Sequence, residues 1–180
     1  MEIIGTINDS SLGYPMKELH SPAVRYWARW ILCREDGKIA LIHKSVKNEY
    51  KLPGWWVDEG ELPEEAFLRE IKEEVGYDAE IIRVLGIIEE HKWHENFKQI
   101  STVFEAKIIS EYLGNKPTEK EKSEWLEVVW MDFDEAIVKV YESIDKIEAS
   151  KYDNVYRSKF MVMRDYTILK FYKENYLWGK

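Results

Sequence analysis

Cysteine is almost missing from this chain: Cys33 is the only one in 180 residues. A single thiol excludes an internal disulfide framework and any zinc site built on several cysteines. No apolar run reaches the ~18 to 20 residues that a membrane-spanning helix needs. The first residues, Met1 to Gly13, carry an early acid, Glu2, and no basic segment, so they do not read as a secretory leader. A cytoplasmic address and no membrane partner are the expectations. Basic charge is also short, with 26 Lys and Arg against 34 Asp and Glu, a net charge of −8. That balance tells against general nucleic-acid binding, which uses a basic face to neutralise many phosphates. An acidic enzyme can still act on small phosphorylated compounds where metal ions supply positive charge locally.

The residues present describe a soluble globular protein: 45% hydrophobic, 33% charged and 14% aromatic. Such a mixture argues against a disordered or collagen-like chain. The length suits one domain over residues 1–180, and no repeat, low-complexity stretch or long linker divides it. Val24–Arg34 and Ile39–His43 flank an acid-Gly turn, Glu35 to Lys38, and predict a hairpin. Further strands are expected over Glu80–Glu89, Gln99–Ile109 and Trp125–Met131, with a polar segment His91–Lys98 and an exposed loop Tyr112–Glu124. Helices are expected over Asp134–Ile144 and Ser158–Leu177. Mixed strands and helices without strict alternation predict an α/β fold with helices packed on a mixed sheet.

The chemistry concentrates in Leu52 to Tyr77, LPGWWVDEGELPEEAFLREIKEEVGY. Pro63 suits a first helical turn, Glu64 and Glu65 the positive end of the dipole, and Gly76 the left-handed position past the C-terminus. At ~100° per residue, with Glu70 as zero, Glu73 falls at about −60° and Glu74 at about +40°. Phe67, Leu68, Ile71 and Val75 occupy the next arc and are expected to face the core. Arg69 lies within reach of Glu65 and Glu73. Three neighbouring carboxylates repel one another unless a cation joins them, and a hard divalent ion with oxygen ligands is the natural partner. The plainer alternative is a solvated acidic face, common on helices.

The spacing favours the first reading. Glu61, seven residues, then Arg69-Glu70-Ile71-Lys72-Glu73-Glu74-Val75-Gly76 resembles the Nudix box, G-x5-E-x7-R-E-U-x-E-E-x-G-U, where U is aliphatic. Six of the seven fixed positions are present. The resemblance implies an α/β/α sandwich and cleavage of a pyrophosphate bond in a nucleoside diphosphate linked to another moiety. It implies Mg²⁺ or Mn²⁺ on Glu70, Glu73 and Glu74, with the Gly54 carbonyl as an additional ligand. Arg69 would hold the acidic cluster, and Glu61 would brace the loop against the helix. For the general base, Glu73 or Glu70 comes first and Glu121 is the best candidate outside the box.

Three positions depart from the pattern. Trp55 replaces the first Gly, Asp58 stands where Glu is common, and Tyr77 replaces an aliphatic residue. Either Trp55 keeps an ordinary backbone conformation with its ring turned outward, or the loop is displaced and activity is weakened. Arg25 and Arg29 share one face of their strand and are candidates for phosphate or base. Trp56 and Trp93 are candidates for base stacking. The expected substrate is a small-molecule nucleotide, most simply a nucleoside triphosphate, oxidised ones included, cleaved to monophosphate and pyrophosphate. The rival is a Nudix-fold nucleotide-binding or regulatory domain with lost catalysis. Resemblance also suggests a homodimer, to which the aromatic C-terminal helix could contribute.

Overall fold

The computed structural model describes residues 1–45, 48–115, 126–147 and 154–177. Its centre is an eight-stranded mixed sheet: β1 (Ile3–Asn8), β2 (Ala23–Cys33), β3 (Ile39–Lys44), β4 (Glu49–Lys51), β5 (Gly54–Trp56), β6 (Ala79–Lys92), β7 (Phe97–Ile108) and β8 (Leu126–Met131). The main path runs β1-β6-β7-β2-β3-β4, with β5 on β2 and β8 on β3. β1 pairs parallel to β6 and β2 parallel to β7; the other ladders are antiparallel. Among the described residues three α-helices accompany it: α1 (Pro63–Glu70), α2 (Phe133–Glu142) and α3 (Val155–Tyr172).

Side-chain alternation along β2 divides the interior into two cores. Ala28, Trp30 and Leu32, with Phe104 and Ala106 of β7, face α1 and pack on Ala66, Phe67 and Ile71. Phe67 is fully buried, with its ring edge-on to Trp30 at 5.2 Å and tilted against Phe104 at 5.3 Å. Ile31, with Val103 and Ile88, faces the other way onto Phe160, Val162, Ile168 and Leu169 of α3 and Val140 of α2. Helices on both faces of the sheet make the expected α/β/α sandwich.

Several local expectations change. β6 runs on to Lys92 and β7 begins at Phe97, so the polar segment shrinks to a tight turn. His91 and Lys92 extend the ladder opposite Lys98 and Phe97, and Asn96 closes the turn at φ 46°. Leu68 is 46% exposed; it lies at the far edge of the apolar arc, and α1 rests on the sheet through Phe67 and Ile71 instead. β1, β4 and β5 are additional to the expected strands. Residues 116–125, including Glu121 and most of the expected loop, lie outside the described residues.

Candidate active site

α1 begins at Pro63, and the Glu65 side chain turns back to accept from the Leu62 N–H at 3.1 Å. At Ile71 the helix changes register. Ile71–Val75 forms a π turn in which the Gly76 N–H donates to the Ile71 carbonyl at 3.0 Å, and Gly76 ends it at φ 79°. The wheel of ~100° per residue therefore does not hold past Glu70. The carboxylates are graded rather than equivalent: Glu70 is buried, Glu74 half-buried and Glu73 exposed.

Arg69 ties this cluster to the preceding loop. Its Nε and Nη2 donate to the two oxygens of Glu61 at 3.1 and 3.2 Å, and its Nη1 donates to Glu70. Glu61 also accepts from the Asp58 N–H at 3.1 Å, and Asp58 accepts from the Trp56 indole at 3.0 Å. The loop is thus fastened to the helix by one guanidinium fork. Burial, reinforced by Glu74 and Glu73, pushes Glu70 up to about 7 against the pull of Arg69.

At Trp55 the structure shows the backbone of the first reading but not its outward ring. It lies in β5, paired with Ala28, and is absent from the residues of positive φ, so its conformation is ordinary. Its ring is half-buried beside Trp56, with centroids 5.0 Å apart. The close approach falls one residue earlier. A Cβ on Gly54 would lie 2.5 Å from the Ala28 carbonyl oxygen and 2.5 Å from Arg29 Cδ. The Gly54 carbonyl accepts from Arg29 Nη1 at 2.9 Å, which occupies one lone pair of this candidate ligand.

The NUDIX domain model matches residues 25–154. This chain belongs to the Nudix family. Among curated proteins it is 32% identical over 92 residues to one of Bacillus subtilis named "Putative ADP-ribose pyrophosphatase", covering 51% of this chain and 40% of that protein. It is 37% identical over 65 residues to a "Putative 8-oxo-dGTP diphosphatase" of the same organism, covering 36% and 44%. The chain thus spans less than half the length of these curated relatives. A solved NUDIX hydrolase from Nitrosomonas europaea superposes with a TM-score of 0.53 at 16% identity, covering 81% of this chain and 93% of the other, a likeness of fold.

The candidate substrate residues separate. Arg25, Arg29 and Trp56 come together in a cavity of about 420 Å³ on the α3 side of the sheet. Trp93 is not among its lining; it sits in the turn after β6, under Lys17 at 4.3 Å and against His94. A wider groove of about 930 Å³ runs along the box loop past Tyr26, Trp56 and Glu61. Sequence reasoning missed Glu90, Lys92, Gln99 and Arg164, which line the first cavity. Arg164 offered a signal: it falls on the stripe of Phe160 and Ile168, where a charge must be buried.

No helix of the described residues is long and apolar enough to cross a membrane.

Proposed function

We propose that this chain is a divalent-metal-dependent pyrophosphohydrolase, acting on a nucleoside diphosphate linked to another moiety, with nucleoside triphosphates as the first substrates to try. The observation that carries the reading is the acidic edge of α1: a buried Glu70 beside Glu73 and Glu74, locked to the loop by Arg69 and Glu61. The all-carboxylate donor set, and a Glu70 whose burial favours its protonated form, fit a hard cation. Among the described residues no three acidic, His or Cys side chains are already gathered as a cage; Glu70, Glu73 and Glu74 are the residues that would hold the ion.

Bound Mg²⁺ or Mn²⁺ would neutralise diphosphate oxygens and lower the pKa of the attacking water. The protein's own share is positioning. Arg69 and Glu61 hold the loop, Arg25 and Arg29 offer cations to phosphate, and Glu73 at the exposed end of the cluster takes the proton from water, with Glu70 as the alternative. The rings of Tyr26 and Trp56, 59% and 45% exposed, give a stacking surface for a base.

The test is product analysis after incubation with nucleoside triphosphates, oxidised triphosphates, ADP-ribose and dinucleoside polyphosphates, with Mg²⁺ or Mn²⁺. Metal-dependent release of a nucleoside monophosphate, reduced by roughly 10²-fold or more in Glu73→Gln, is the expected result. Metal and nucleotide binding without turnover on any substrate would establish the binding-domain alternative.

A further inference from the structure

The cavity between β2, β6, β7 and α3 is basic in an acidic chain. Arg25, Arg29, Lys92, Arg157 and Arg164 line it against only Glu90 and Glu95. Both acids are engaged already. Glu95 takes Arg157 at 2.6 Å, and Glu90 is shared by Lys92 at 3.0 Å and Arg164 at 3.1 Å. Asp165, behind the wall, accepts from Arg164 Nε at 2.8 Å and from the Leu52 N–H at 2.9 Å. Arg25 lies over Phe97 and Arg29 over Trp27, and among the described residues neither has a carboxylate at ion-pair distance. Three buried donors on this wall, Trp27 Nε1, Arg29 Nε and Arg164 Nη2, find no acceptor among the described residues, against one unpaired acceptor, Glu90 Oε1, which has Lys92 Nζ at 3.0 Å as its ion-pair partner.

An excess of cations and a set of donors without acceptors call for one kind of partner, an oxyanion. A neutral sugar or base brings its own donors and leaves the charge uncompensated; a phosphate or carboxylate brings acceptors and charge together. The cavity adjoins the box loop: Arg25 and Trp56 line both it and the groove beside Glu61. Arg29 also reaches from it to the Gly54 carbonyl.

We propose that this cavity takes an oxyanion group, phosphate or carboxylate, that the substrate carries away from the anhydride to be cleaved. The inference rests on the hydrolase reading and narrows its substrate to a compound with a further anionic group.

The test uses two pairs that differ in that group alone, one on each side of the diphosphate: UDP-glucose with UDP-glucuronate, and ADP-ribose with ADP-ribose 2′-phosphate. Calorimetric titration and turnover are measured on the intact protein. The anionic member of at least one pair should bind about tenfold more tightly, and the preference should fall to about twofold or less in Arg25→Gln and Lys92→Met. Arg25 is exposed, so its replacement tests the cavity even where loss of Lys92 disturbs folding. Equal affinity within both pairs overturns the proposal. So does inorganic phosphate that binds and changes turnover of the neutral members, since the anion is then a free effector. A binding preference without turnover on any of the four overturns the hydrolase reading and leaves the cavity assignment standing.

Discussion

Two buried glutamates lie on opposite faces of the sheet, and their surroundings drive them in opposite directions. Glu70, at the end of α1, is shut away from water beside Glu73 and Glu74, and it rises to about 7 despite Arg69. Glu90, in β6 under α3, is more deeply buried, yet Lys92 and Arg164 overcome the burial and hold it down to about 2. Burial alone disfavours both charges. The neighbours decide which glutamate is a standing anion and which wants a cation. One face of the molecule is built to attract positive charge and the other already holds it in excess.

The largest expected effect comes from breaking the basic side. Glu90→Ala strands Lys92 in the interior, leaves Arg164 with Asp165 alone, and should cost about 3–5 kcal/mol, read from denaturant unfolding. Because Glu90 sits below its ordinary value of 4.5, its contribution is fully present above pH 4.5 and is lost as pH falls toward 2. That contribution is roughly 3 kcal/mol by linkage. The variant's deficit should therefore shrink on acidification; a deficit constant from pH 7 to pH 3 would refute the assignment. Phe67→Ala, in the apolar core under α1, should also cost about 3–5 kcal/mol, but with a loss that does not follow pH through Glu90.

A smaller effect of opposite sign is expected at Glu70. Its folded value lies above 4.5, so the metal-free protein loses stability as pH rises from 4.5 to 7. Glu70→Gln removes that penalty and should stabilise the metal-free protein at pH 7 by about 1–2 kcal/mol, less than the full shift because Arg69 loses a partner. Thermal melts with Mg²⁺ and with chelator provide the check: Mg²⁺ should raise the wild-type midpoint and leave the variant's nearly unchanged. The smallest change is reserved for Leu68→Ala, which should stay within about 0.5 kcal/mol because the side chain faces solvent. A larger loss would mean that α1 packs differently from the way described.

Much of this arrangement is local and legible along the chain. The tight turn between β2 and β3 follows from two apolar runs around an acid-Gly sequence, but the expected hairpin ladder is only the pair Cys33 and Ile39, and β3 runs along β8 instead; the two-residue alternation of β2 is enough to put Arg25 and Arg29 on one face. Proline, glycine and the apolar spacing bound the box helix, and in the structure Arg69 contacts Glu61 and Glu70. The π turn at Ile71–Val75 is not legible, because a helical wheel assumes one residue angle throughout. Nor is β5, three residues long, whose existence depends on pairing with β2.

The sequence by itself determined the family, the acidic cluster and the two faces of its central strand, because each is set by residue type and short-range spacing. Only the tertiary structure decided which acid is buried, that the close approach falls at Gly54, and that Arg29, Lys92 and Arg164 gather around one cavity. Those outcomes depend on which strands meet across long stretches of chain, and on the loss of water where they meet. Neither leaves a local period to read.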